Sequence, residues 1–307
     1  MLPARRPRPF PLAILLALGL AAPAGVAAAQ PQDVRVLQCG TGVHQDEAFG
    51  VVWLPQGEVF CPLVADPKAV RSFVSYLYGK FPTSRGSLHL GSVGIGDGLP
   101  LLRVGGPRAA DGLQVGLEAA VFAQFDLDSR SDDLLNADYT VGIPVTFRRA
   151  GFSVRLRPYH QSSHLGDELL LRADGEIVRQ NLSFESVELI LSQELGPLRV
   201  YAGGEHLLRR SPGALDPRVA HAGAELRAGP DRGARLVVAG DVKSSEQQQW
   251  KPAWSGRAGV EVAWWRSPGH PPRVWSLLAE YYDGPSPYGQ FFLESTRYAG
   301  LGLHLQL

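Results

Sequence analysis

The stretch Asp138–Arg148, DYTVGIPVTFR, decides the fold. Tyr139, Val141, Ile143, Val145 and Phe147 fall on one face of an extended chain, and Thr140, Gly142, Thr146 and Arg148 on the other. Successive side chains of a strand point to opposite sides, so this is a strand with one apolar and one polar face. The pattern recurs on both sides of it. Leu113, Val115, Leu117, Ala119, Val121, Ala123 and Phe125 alternate with Gln114, Gly116, Glu118, Gln124 and Asp126. Phe152, Val154 and Leu156 alternate with Ser153, Arg155 and Arg157.

Extended along the chain, this spacing predicts strands at 86–95, 99–105, 113–126, 137–147, 152–161, 181–193, 198–207, 219–228, 234–243, 256–265, 273–282 and 296–307. Twelve strands with no apolar run long enough for a spanning helix predict an all-β fold, a closed antiparallel transmembrane β-barrel. The sixth strand loses its alternation near Ser186-Val187, which predicts a bulge there. GIGDG at 94–98 lacks the full G-x-G-x-x-G of a nucleotide site and reads as a turn. Connections at 148–151, 194–197 and 229–233 are short; those at 127–136, 162–180, 208–218, 244–255 and 283–295 are longer. Short periplasmic turns alternating with longer external loops are the habit of outer-membrane barrels. Tyr139, Tyr159, Tyr281, Tyr282 and Tyr298 fall at the expected outer strand ends, and Trp264, Trp265 and Trp275 at the inner ends, as interfacial girdles require. In the last strand Leu301, Leu303, Leu305 and Leu307 alternate with Gly300, Gly302, His304 and Gln306. This resembles the terminal insertion strand of such barrels, with a leucine where an aromatic is usual.

Arg5, Arg6 and Arg8, the apolar run Phe10–Ala22 and the small residues Ala27-Ala28-Ala29 compose a secretory signal peptide over 1–29. Residues 30–85 are then a periplasmic or lumen-facing segment, with helix-like spacing at 68–78, and 86–307 the barrel. Cys39 and Cys61, the two cysteines, would sit in an oxidising compartment as one disulfide or as two buried thiols. Thirty Lys and Arg balance thirty Asp and Glu, so no basic surface for nucleic acid is present. A mean hydropathy of −0.06 excludes a bundle of membrane helices but not a barrel, whose strands are only half apolar.

Several stretches resemble an uncharacterised bacterial outer-membrane family catalogued as domain of unknown function 1207. They are ADP at 65–67, QFDLDSRSDDLLNADYTVGIP at 124–144, RLRPYHQSSHLGDE at 155–168, NLSFE at 181–185, RVYAGGE at 199–205 and EYYDGPSPYGQFF at 280–292. The resemblance implies an outer-membrane barrel of Gram-negative bacteria and supplies no catalytic residues.

The block 159–168 gathers Tyr159, His160, Ser162, Ser163, His164, Asp167 and Glu168. His160-Gln161-Ser162 is similar to the His-x-Ser triplet of outer-membrane phospholipase A, in which a His activates a Ser. The Asn-Gly that follows in that family is replaced by Ser163-His164, and Asn181 is the candidate third member, with inward parity. Asp126, Asp128, Asp132, Asp133 and Asp138 offer hard oxygen ligands of the kind Ca²⁺ takes, but not at EF-hand spacing, so no cofactor is called for. Inward positions comprise Gln114, Glu118, Gln124, Arg148, Arg155, Arg157, Glu185, Arg199, Glu205, Glu225, Arg227, Arg235, Asp241, Lys243, Arg257, Glu261 and Glu280, a mixture of signs able to pair across a narrow cylinder. The first expectation is a structural or accessory barrel facing membrane lipids or lipopolysaccharide. A narrow solute channel and a lipid-acting hydrolase at His160 and Ser162 are the alternatives.

Overall fold

The alternation described above closes into a cylinder. A computed structural model describes residues 50–82, 86–106, 111–172, 182–230, 233–264 and 273–306. All of them fall within one contact unit, Val34–Leu307. The strands are β1 (Val51–Trp53), β2 (Ser72–Lys80), β3 (Ser87–Gly105), β4 (Gly112–Asp126), β5 (Asp133–Gly142), β6 (Val145–Arg149) and β7 (Phe152–Leu165). After helix α1 (Asp167–Arg172) come β8 (Leu182–Leu195), β9 (Leu198–Ser211), β10 (Arg218–Ala228), β11 (Gly233–Ser245), β12 (Pro252–Trp264), β13 (Arg273–Pro285) and β14 (Ser295–Gln306). All pairings are antiparallel, successive crossings from β2 to β14 lie side by side, and β14 pairs with β2 to shut the barrel. β5 and β6 are two halves of one crossing, both lying between β4 and β7; Pro144, which has no N–H to give the ladder, marks the break. β1 is a short strip beside the far end of β3, so the closed barrel has 12 strands.

The total agrees with the sequence reading, but two members differ. Residues 68–78 are not helical: Ser72–Lys80 is a strand that alternates buried Phe73, Ser75 and Leu77 with exposed Val74, Tyr76 and Tyr78. The barrel therefore begins at Ser72 rather than at 86. The expected first two strands are one long strand, β3, with a register shift at Pro100/Leu102, and GIGDG lies inside it rather than in a turn. The glycines there make room. A Cβ on Gly94 would run into the Phe73 ring, and one on Gly98 into the Glu58 carboxylate.

The two faces of the wall differ sharply. Outward side chains such as Val141, Leu189, Val238, Leu277 and Leu301 form an apolar belt, far larger than the patch a soluble monomer exposes. Tyr139, Tyr281 and Trp275 join that surface. Tyr282 and Tyr298 do not. They share the inward parity of their strands and stack at 5.3 Å, with Phe81 stacked on Tyr298 at 5.6 Å. Tyr159 also turns inward, toward Glu205. Trp265 and the signal region lie outside the described residues.

At the end that carries the longer connections, an apolar cluster containing Phe73, Phe122, Leu135, Leu165, Leu169, Tyr288 and Phe291 packs α1 and the 286–294 loop into the mouth. Burial pushes the Tyr288 hydroxyl up to about 12, keeping it protonated in its 2.9 Å hydrogen bond with Ser92. The outward belt predicts a specific sensitivity. Val238→Arg should cost about 2–4 kcal/mol if it lies near the bilayer midplane. The check is the urea midpoint of the heat-modifiable gel band, and an unchanged midpoint would contradict a lipid-facing Val238.

Candidate functional site

Inward apolar residues are out of place in a watery lumen unless something covers them. Ile190, Val237 and Leu278 all face inward and all are covered. Phe60 and Leu63 pack on Ile190 and Tyr201; Val64 and Ala65 pack on Val237, Ala239 and Leu278. Residues 56–68, ahead of β2, thus run through the interior. They form no helix or strand, so their backbone groups need partners from the wall. Arginines from three strands supply them. Arg103 Nη2 on β3 donates to the Gly57 carbonyl (2.7 Å), and Arg199 Nη2 on β9 to Cys61 (2.9 Å). Arg257 Nη1 on β12 donates to Val64 (2.8 Å). The Val64 N–H in turn donates to Glu225 Oε1 (2.7 Å). The guanidinium groups of Arg155 and Arg199 both lie over the Phe60 ring, at 4.8 and 5.0 Å from its centre.

The same cations are tied to carboxylates. Arg155 and Arg157 share Glu188 (2.8 and 2.9 Å), and Arg157 also reaches Glu118 (2.9 Å). Arg199 and Arg227 meet on Glu225, Arg227 and Arg235 on Glu261, and Arg257 on Glu280. Lys243 Nζ holds Asp66 at 2.9 Å and Lys68 Nζ holds Asp138 at 2.6 Å. Most of the sequence-predicted inward set is therefore assembled, but Glu185 was wrongly included and Glu188 and Arg103 were left out. Alternation along β8 is unbroken, and the extra residue at the register shift, Leu208, lies on β9. Glu185 consequently faces outward, while Glu188, which the sequence reading missed, faces inward and anchors two arginines.

His160 and Ser162 both point outward on β7, as their parity with Leu156 requires. Glu185 lies opposite His160 on β8, its Oε1 3.3 Å from His160 Nδ1, and both side chains are about two-fifths exposed. Among the described residues the Ser162 hydroxyl has no hydrogen-bond partner, and its position on the strand is roughly 7 Å from that of His160. Beside them the outer wall carries an apolar groove of about 260 Å³, bounded by Ile95, Val121, Tyr139, Val141 and His160. Asp167 and Glu168 are exposed in the first turn of α1, and among the described residues neither pairs with a histidine. Asn181 and Cys39 lie outside the described residues; Cys61 is buried and is not a free thiol.

Ser163, the neighbour of Ser162, is engaged inside. Its hydroxyl donates to Asp138, which also accepts from Lys68, from Asn136 Nδ2 (3.0 Å) and from the Gly289 N–H (3.1 Å). Stretches around 136–138, 160–164 and 288–290 thus meet at one buried carboxylate. Asp126, Asp128 and Asp133 accept hydrogen bonds from their own loop or from the His89 N–H. Among the described residues no cluster of three His, Cys, Asp or Glu is disposed to hold a metal ion. Above the lumen segment, toward the long-loop end, lies a cavity of about 230 Å³ with Lys68 at its floor and Tyr159, Phe184, Leu207 and Tyr282 in its wall.

A family model described as "Protein of unknown function (DUF1207)" matches residues 22–307. No curated protein matches the chain. Among solved structures, an active-site mutant of outer membrane phospholipase A from Escherichia coli superposes with a TM-score of 0.53 at 13% identity, covering 78% of this chain and 93% of that one. The calcium-bound dimer of the Salmonella typhi enzyme gives 0.51 at 13% identity, covering 78% and 94%. At this identity the likeness is one of fold: an outer-membrane β-barrel.

The interior network predicts unequal sensitivities. Glu225→Gln, which removes the negative charge shared by Arg199 and Arg227 and replaces one of the two acceptor oxygens with an NH2 donor, should cost about 3–5 kcal/mol. His160→Ala, at a half-exposed pair, should stay within about 0.5 kcal/mol. Denaturant midpoints in detergent compare the two, and equal losses would mean that the lumen pairs are not buried as described.

Proposed function

Since the chain belongs to the DUF1207 family, we propose from the geometry that it is a closed accessory barrel of the outer membrane. Its partners are membrane lipids or lipopolysaccharide, not a permeating solute. The observation that carries this reading is the lumen segment. Residues 56–68 fill the interior and are held there by arginines from separate strands. Barrel width supports it too, since open aqueous channels come at about sixteen strands. A pore needs a continuous watery path, whereas here the inward charges are paired with each other or with the segment. In a planar bilayer the purified full chain should be electrically silent. Large, steady, nonselective openings would overturn the reading.

A second reading, acyl-ester hydrolysis at the outer wall, is favoured by one observation, the His160–Glu185 contact beside the apolar groove. In that reading Ser162 is the nucleophile, His160 takes its proton, and the Glu185 carboxylate fixes the imidazole tautomer from the adjacent strand. A lipid acyl chain would lie in the groove with its ester at Ser162. The chemistry requires His160 Nε2 to come within hydrogen-bond reach of Ser162 Oγ once substrate is bound. Release of lysophospholipid from phospholipid vesicles, with and without Ca²⁺, measures it. Activity lost in Ser162→Ala and strongly reduced in Glu185→Ala is the expected outcome of this reading. No release by a folded barrel under either condition removes it.

A further inference from the structure

The cavity above the lumen segment combines an apolar wall with a few placed polar groups. Its wall is largely apolar and aromatic, from Phe122, Phe184, Leu207 and Tyr282, while its floor is set by Pro67 and Lys68 and its side by Lys243. An apolar chamber with a few placed polar groups is the usual form of a small-molecule site. Residues Asp216, Gln247 and Lys251 at its margin come from the connections of the long-loop end, so it is reached from that side.

The polar groups there are unevenly supplied. Lys68 gives one ammonium N–H to Asp138 and Lys243 gives one to Asp66; each ammonium has three. The Gln161 side chain faces inward, lines the cavity and has no hydrogen-bond partner among the described residues. The carboxylates that hold the two lysines, Asp138 and Asp66, do not line the cavity. Two inward carboxylates that do are already engaged: Glu205 accepts from the Tyr159 hydroxyl, and Asp241 is bound to Tyr201 and His221. What the chamber offers is therefore spare cationic and amide donors beside an apolar wall. The complementary ligand has a short apolar body and a small anionic head. We propose that this cavity binds such an amphiphile, an alkyl carboxylate or alkyl phosphate. Its head lies against Lys68, Lys243 and Gln161, and its chain against Phe184, Leu207 and Tyr282. The proposal rests on the reading of the barrel as closed, because the lumen segment supplies the floor.

The test uses the full chain in lipid nanodiscs, titrated calorimetrically with octanoate, octyl phosphate and octan-1-ol, with empty nanodiscs as the blank. At least one anionic probe should bind saturably, one per chain, and at least about tenfold more tightly than octan-1-ol, since hydrogen bonds to a charged head are stronger than those to a hydroxyl. Which anionic probe wins identifies the head as carboxylate or phosphate. Ser255→Phe, which fills the chamber from β12, should abolish that binding, and Gln161→Leu, which breaks no existing bond, should weaken it about tenfold. Both variants must first show the heat-modifiable band of a folded barrel. If Ser255→Phe does not fold, Gln161→Leu alone decides. Absence of saturable binding, an alcohol that binds as well as the anions, or binding unchanged in the folded variants would each overturn the proposal. A chain that is silent in the bilayer yet binds none of the probes sinks the ligand and leaves the closed barrel standing; a conducting chain sinks the closed barrel itself.

Discussion

Guanidinium groups bonded to main-chain carbonyls are what the interior of this barrel depends on. An irregular segment placed in a narrow lumen exchanges water for protein at every peptide group, and unpaired groups are expensive there. Arg103, Arg199 and Arg257 answer that demand from three directions. Each has several N–H donors, so each also binds a wall side chain: Gln114, Glu225 and Glu280 respectively. Lysine, with one nitrogen, could not bridge wall and segment in the same way. The carboxylates complete the arrangement because an unpaired buried arginine would be costlier than none.

Much of this was legible in the sequence because a barrel wall obeys a period of two. Gln114, Arg155, Arg199, Glu225 and Glu261 announce an inward polar face, and Val141, Leu156 and Leu301 an outward apolar one. The twelve crossings and the segregated loop lengths follow from the same pattern. What parity alone could not settle was which strand of a pair carries an extra residue. Glu185 and Glu188 were confused for that reason, since the irregularity belongs to Leu208 on the neighbouring strand. β2 was missed because KAVRSFVSYLY satisfies helical spacing as well as alternation. Glycines at 94, 96 and 98 imitate a turn although they only thin the wall where Phe73, Ala120 and Glu58 press against it.

The candidate sites were legible to different depths. The outward placement of His160 and Ser162 follows from strand parity, but the contact with Glu185 needed the pairing of β7 with β8. The lumen segment left a fainter trace. Ile190, Val237 and Leu278 are apolar at inward positions, among charged neighbours on the same face. Such residues imply a cover, although nothing in their own strands names it. Asp138 shows the same limit: its partners come from residues 68, 136, 163 and 289, and no local pattern connects them.

The seam between β14 and β2 has a mechanical consequence. β2 directly follows the lumen segment in the chain, and β14 is the last strand described. The wall can be complete only when the two ends of the strand series meet. The seam and the filling are therefore neighbours in the chain: the strand that closes the wall against β14 is joined directly to the residues that Arg103 and Arg199 hold in the lumen, so a pull on the segment is passed straight to the closing strand.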